Sequence, residues 1–358
     1  MKNKRFKGFI LKLFTRKKND EFDKNSVRKI LLLRYDRIGD MIISTPILRE
    51  LKQACKKFEI DVLASKTNYE IIRYNPYVSN IYLNHKRNFF RDLPVLLKLR
   101  KKKYDLAIEF DHSVIPHAIL RLRMISPRYV FSVQKDGRYG VNGSDLNLYS
   151  YFSKKQSNEH AVDRWLRTIS PFRSMITDKS YEIHIPDYFK DKANFFFNRL
   201  NNENVIGFNF KGAVEGKEVP FSDFVTFANW LEINYSSYKI LVFSMPTDLG
   251  EIISNISKFG LTNVIVSDET LSILYVSALV RRLKLMITPD TSLVHIASTF
   301  NIPVISIHEN NLDSYNLFKP LSKYSDTVFS EHSNNLKGYS MQELISKVDS
   351  ALVNLASE

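Results

Sequence analysis

A chain of 358 residues exceeds the size at which one hydrophobic core usually stops growing, so two domains are expected. Its 44% hydrophobic and 25% charged residues exclude wholesale disorder, and its single cysteine, Cys55, excludes an intramolecular disulfide or a Cys-based metal cluster. Fifty-two Lys and Arg against 38 Asp and Glu, a net charge of +14, point to an anionic partner: nucleic acid, an anionic membrane, or a phosphorylated or carboxylated substrate.

Residues 1–25 form a basic segment. Every charged residue from 1 to 18 is Lys or Arg, and Phe6, Phe9, Ile10, Leu13 and Phe14 share one face if the segment is helical. That pattern suits either a membrane interface or a solvated tail resting on its own domain. Lys12 interrupts the apolar run and no small-residue cleavage site follows, so a secretory signal is not expected. No apolar run approaches the roughly 20 residues that span a bilayer.

Strands and helices then alternate. Residues 29–34 read as a buried strand, Gly39 as the residue permitting a tight turn, and 41–54 as a helix. Asp40 at this turn is expected at the carboxyl end of a strand, where open α/β sheets place ligands. Further strands are expected at 59–64, near Ile81 and at 104–110, with helices at 67–73, 88–99 and 117–122. The Gly-, Asn- and Ser-rich stretch 134–158 reads as a long loop or an interdomain element, and 160–169 as a helix leading to a domain boundary. In the second half, strands are expected at 181–185, 205–210, 239–243, 264–266, 283–287 and, last, 303–307. Helices are expected at 188–200, 222–233, 249–259, 271–280 and 292–300. This alternation implies doubly wound, largely parallel sheets, divided into domains at 26–172 and 173–335, with a helix in 336–358 that is a candidate to pack back on the first domain.

Several stretches carry chemistry. Thr288-Pro289-Asp290-Thr291-Ser292 follows an apolar strand and opens a helix whose free N–H groups and positive dipole end suit a diphosphate. His295, one turn on, is placed to reach the same anion or a sugar hydroxyl. An ordinary Asp-Thr-Ser cap with a packed histidine explains the same residues. The loop Gly207-Phe208-Asn209-Phe210-Lys211-Gly212-Ala213, with Lys217 and Pro220, offers close backbone approach and a cation for a departing diphosphate, although surface loops with Gly and Lys are common. Glu109, Asp111 and His112 end a strand and either line an acceptor site or are simple surface polarity. Lys86, Arg87, Arg91, Lys98 and residues 100–103 form a basic patch around a Leu-rich helix, read either as a lipid-phosphate surface or as a solvated face.

The segment 30–40, ending Arg34-Tyr35-Asp36-Arg37-Ile38-Gly39-Asp40, with Thr45-Pro46, His160-Ala161-Val162-Asp163-Arg164, Gly212-Ala213, and Pro289-Asp290-Thr291 with His295, resembles the lipopolysaccharide heptosyltransferases, glycosyltransferase family 9. The resemblance implies a GT-B architecture of two Rossmann-like domains facing across a cleft, with acceptor on the first and nucleotide sugar on the second. It implies inverting transfer of a heptose from ADP-heptose to the lipopolysaccharide inner core without an essential metal or other cofactor, on the cytoplasmic side of an anionic inner membrane. Asp40 matches the family's general base, with Asp36 as a rival. Gly39, Lys217, Asp290, Thr291, Ser292 and His295 fall to the donor, and Arg37, Asp111 and His112 to the acceptor. Departures gather in the second half: Ser292 for a usual Gly, Val219 for a Trp, Ser244-Met245 for a Gly-containing turn, and residues 307–310 for a Gly-Pro-Thr type segment. They leave another nucleotide sugar, or an inactive family member, as alternatives. A nucleic-acid binder is the remaining rival, but no helix-turn-helix, zinc-finger or RNP-like pattern occurs, so nucleic acid is not an expected partner.

Overall fold

The computed structural model describes Gly8, Leu11, Lys12, Thr15 and residues 21–85, 89–200, 204–212, 216–243, 247–267 and 272–357. The chain divides into two compact units, Met1–Ser180 and Tyr181–Glu358, so the boundary falls later than the 172/173 expected from sequence. Each unit is built on one six-stranded sheet, and every ladder in both is parallel.

The first unit runs β1 (Lys29–Arg34), α1 (Ile38–Ala54), β2 (Glu59–Ser65), β3 (Asn80–Asn84), α2 (Phe89–Lys101), β4 (Leu106–Glu109), α3 (Pro116–Ile125), β5 (Tyr129–Val133), β6 (Tyr151–Ser153) and α4 (Ala161–Leu166). The sheet order is β3-β2-β1-β4-β5-β6, in which β1 lies between β2 and β4. β1 is a run of Ile and Leu buried on both faces, as a central parallel strand requires. The order reverses between β1 and β4, and their carboxyl ends form the unit's switch point. β5 was not anticipated, and β6 lies inside the stretch read as a loop.

α1 begins earlier than expected. Gly39 is its second helical residue and Asp40 its third, while Tyr35 to Arg37 form the turn, so the glycine is not the turn residue that sequence suggested. Pro46 sits inside this helix and lacks the N–H that would meet the Ile42 carbonyl. Thr45 Oγ1 donates to that same carbonyl at 2.7 Å, and the proline is thereby tolerated. Thr45→Val, which keeps the shape but orphans a buried carbonyl, is expected to lower stability by about 1–3 kcal/mol, read as a lower urea midpoint with an unchanged m-value.

The second unit runs α5 (Asp187–Asn198), β7 (Asn204–Asn209), α6 (Phe221–Asn234), β8 (Tyr238–Phe243), α7 (Leu249–Lys258), β9 (Val264–Val266), α8 (Ile273–Val280), β10 (Leu285–Pro289), α9 (Ser292–Thr299), β11 (Val304–His308), α10 (Leu312–Phe318), β12 (Ser325–Phe329) and α11 (Met341–Ala356). Its order, β12-β11-β10-β7-β8-β9, is the same wiring as the first sheet, with the reversal between β7 and β10. The last strand is thus β12, not β11, and residues 181–185 form no strand. The terminal helix α11 places Leu344, Val348, Ala351 and Leu352 in the second unit's own core, which corrects the expectation that it returns to the first.

Of the N-terminal segment, Leu11 is buried among Val141, Leu146 and Leu148 in the first core, and Lys12 meets Asp145 at 3.4 Å. Leu11 is not on the apolar face expected from sequence, and all five residues of that face, Phe6, Phe9, Ile10, Leu13 and Phe14, lie outside the described residues, as do Lys86, Arg87, Ala213 and Ser244-Met245. Among the described residues no helix is long and apolar enough to cross a membrane.

Candidate active site

At the first switch point, Arg34 closes β1 and is 3% exposed. Its guanidinium lies 3.7 Å from the Trp165 ring centroid and 4.9 Å from that of Phe110. From there Nη1 meets Asp36 at 3.0 Å, Nη2 meets Asp40 at 3.4 Å, and Nε donates to the Asp40 carbonyl at 3.1 Å. A buried guanidinium needs such partners, because desolvating it unpaired is prohibitive. Asp40 also accepts from the Arg37 N–H at 3.3 Å, which closes the first turn of α1. Arg37 itself is exposed. Asn68 ties down the same turn: its Oδ1 accepts from Ser65 N, and its Nδ2 donates to the Arg34 carbonyl at 3.0 Å.

β4 delivers the neighbouring groups. Glu109, buried, pairs with Lys135 at 2.5 Å and accepts from Ser132 Oγ at 2.7 Å and from Asp111 N at 2.8 Å. Burial, helped by the nearby Glu109 carboxylate, raises the Asp111 carboxyl to about 7 against the pull of Lys135 and Arg34. His112 moves the other way, to about 4, because burial and the charges of Arg164, Arg34 and Lys135 oppose a second proton, with Asp40 pulling weakly against them. Its Nδ1 lies 3.2 Å from Arg164 Nη1 and acts as acceptor, since the guanidinium can only donate. Asp40, Asp111 and His112 are therefore gathered in one electrostatic neighbourhood. The His160–Arg164 motif serves this site too, since His160 caps α4 by accepting from Val162 N, Arg164 reaches His112, and Trp165 covers Arg34.

At the second switch point, Thr291 caps α9 by accepting from Leu293 N at 3.2 Å. Thr288 Oγ1 lies 3.0 Å from Thr291 Oγ1, and Asn209 at the end of β7 donates to Thr288 Oγ1 and to the Lys211 carbonyl, each at 3.0 Å. Asn209 therefore joins the two elements that flank the reversal. Asp290 and Ser292 are half-buried at the same turn. His295 is buried, its ring meeting Tyr181 edge-on at 6.1 Å between centroids. Gly212 is required by close packing: a Cβ there would stand 2.5 Å from the Lys217 carbonyl oxygen, which accepts from Gly212 N. Lys217 forms an ion pair with Glu309.

Sequence reading marked Asp40, Asp111, His112, Asp290 and Thr291 but gave no role to Arg34, Trp165, Lys135, Asn209 or Glu309. A charged residue at the end of an otherwise apolar buried strand was the available signal for Arg34. Among the described residues no group of three or more His, Cys, Asp or Glu is placed to hold a metal ion.

The family model for glycosyltransferase family 9 (heptosyltransferase) matches residues 95–348, beginning beyond Asp40. A protein of Escherichia coli (strain K12) provisionally named lipopolysaccharide heptosyltransferase 4 is 23% identical over 319 residues, covering 85% of this chain and 81% of its own length. Among solved structures, a family 9 glycosyltransferase from Veillonella parvula DSM 2008 aligns with a TM-score of 0.75 at 18% identity, over 94% of this chain and all of that one. An E. coli heptosyltransferase solved with ADP aligns with a TM-score of 0.70 at 15% identity, over 92% of this chain and 100% of that one. These likenesses show the fold, two Rossmann-like domains of GT-B type. With most of its length matched by the family model, the chain belongs to glycosyltransferase family 9, the heptosyltransferases, and is a transferase.

Proposed function

We propose that this enzyme moves a heptose from ADP-heptose to the inner core of lipopolysaccharide with inversion, using Asp40 as general base. The observation that carries this reading is the Asp40 carboxylate, held by Arg34 yet 19% exposed, at the switch point of the first sheet. A sugar hydroxyl is a weak nucleophile and needs a positioned base. In the proposed step Asp40 takes the acceptor's hydroxyl proton, the oxygen bonds to the anomeric carbon, and the bond from that carbon to the diphosphate breaks. The second unit holds the departing diphosphate, whose charge falls to the N-terminus of α9 at Thr291 and Ser292 and to Lys217. Asp111 and His112 contact the acceptor.

Work at an anionic membrane surface on the cytoplasmic side belongs to the same proposal. On α2, Phe90 and Leu97 are 84% and 48% exposed, and Lys98, Arg100 and Lys101 fill the last turn. Apolar side chains flanked by cations suit a lipid headgroup layer.

Thermal unfolding of the full chain with ADP-heptose tests the donor, since a ligand bound only by the folded state raises the transition. ADP-heptose at about 100 times its Kd is expected to add about 2.7 kcal/mol. A shift produced by a different nucleotide sugar and not by ADP-heptose defeats the donor assignment.

A further inference from the structure

At the donor turn, the charges do not favour an anion as plainly as its backbone does. β10 and β11 are paired so that Pro289 faces Ile307, and Asp290 N donates to the Ile307 carbonyl at 3.2 Å. Asp290 and His308 therefore stand at adjacent strand ends. Glu309 follows directly and takes Lys217 as its ion-pair partner, the two side chains being 11% and 16% exposed. His308 is buried, with Nε2 lacking a hydrogen-bond partner among the described residues, and burial lowers its pKa, so it adds no positive charge. The other lysine of the loop, Lys211, is held by Asp248 at 3.1 Å. A diphosphate reaching this turn meets a helix end worth about +0.5 charge, but both loop lysines already face carboxylates.

We propose that Glu309 is a positioning residue that competes with the donor for Lys217: it holds the lysine while the site is empty and yields it to the diphosphate. Glu309 thereby sets the affinity for the nucleoside diphosphate and favours its release after transfer. This rests on the donor site proposed above. Residues 307–310, which include Glu309, stand where the family resemblance has a Gly-Pro-Thr type segment. The carboxylate lies close enough to Lys217 for Coulomb terms to be large in a partly buried site, so removing its charge releases the lysine's attraction to another anion.

Calorimetric titration of the full chain with ADP, and with inorganic pyrophosphate as a probe of the anionic part alone, tests this. Glu309→Gln keeps the shape and removes the charge, and is expected to bind both probes about tenfold more tightly, while Glu309→Asp returns toward the parent. Lys217→Ala is expected to weaken both, and in that background Glu309→Gln is expected to change affinity by less than about twofold, as a coupled pair requires. Damage to the fold weakens binding and so cannot mimic the gain. If the parent binds ADP but Glu309→Gln binds it equally or less tightly, the competition is overturned and the donor site stands. If the gain survives in Lys217→Ala, the competition is likewise overturned. A parent that binds neither probe overturns both the donor site and this inference.

Discussion

Asp40→Asn is expected to lower kcat/KM for sugar transfer by about 10²–10⁴-fold while leaving ADP binding within about twofold of the parent, because a general base acts in the transition state and not on the bound nucleotide. The substitution suits the site. The amide oxygen can still accept from the Arg37 N–H that Asp40 now meets at 3.3 Å, so the first turn of α1 is kept. What is lost is the capacity to take a proton, together with the charge that Asp40 pairs with Arg34 Nη2, which leaves that guanidinium with Asp36 and the Asp40 carbonyl. Asp36→Asn is the companion measurement, since Asp36 shares Arg34 with Asp40 but its side chain is 41% exposed. It is expected to keep activity within severalfold and stability within about 1 kcal/mol, as partly solvated pairs do. If Asp36→Asn is the variant that loses transfer, or if Asp40→Asn transfers at the parent's rate, the assignment of the base is wrong.

Arg34→Met is expected to lose on two counts. Breaking a buried pair by removing one partner costs about 3–5 kcal/mol, and the low end applies here because Asp36 stays partly solvated. A lower denaturant midpoint measures it. The second loss is catalytic: with Nη2 and Nε gone, the Asp40 carboxylate keeps only the Arg37 N–H as a contact among the described residues and its carbonyl loses the Arg34 bond, and a displacement of the order of 1 Å costs about 10²-fold in rate. Trp165→Phe keeps an aromatic face under the guanidinium and is expected to retain most activity. Full transfer by a folded Arg34→Met enzyme would show that Asp40 needs no such anchor.

The sequence disclosed the central strands and both switch-point turns for one physical reason. β1, β7 and β10 are apolar runs buried on both sides, and each ends in residues that cannot continue them. Edges were harder to read. β6 has three residues, and β12, Ser325-Asp326-Thr327-Val328-Phe329, is only partly buried, so neither carries a strong period. β5 is buried throughout and does not alternate, and Ser132 breaks its apolar run because its hydroxyl is needed by Glu109. Residues 181–185 mislead in the opposite direction. Tyr181, Ile183 and Ile185 are buried in true alternation, but alternation records an extended chain, and pairing with a neighbour is a separate requirement. At the site, the tie between Asn209 and Thr288 spans 79 residues, and that between Arg164 and His112 spans 52. Such contacts depend on strand order, which no local pattern encodes.

Because α11 joins the second unit's core, all six strands of the first sheet and the helices described with them are complete by Ser180. Parallel sheets built from distant segments close slowly and expose apolar surface until they do. On the ribosome, the amino-terminal half therefore has the whole translation time of the carboxyl-terminal half in which to find its register, about 10–40 s at common elongation rates. Its Ile- and Leu-rich central strand then has both of its partners, β2 and β4, at hand before any strand of the second sheet is made.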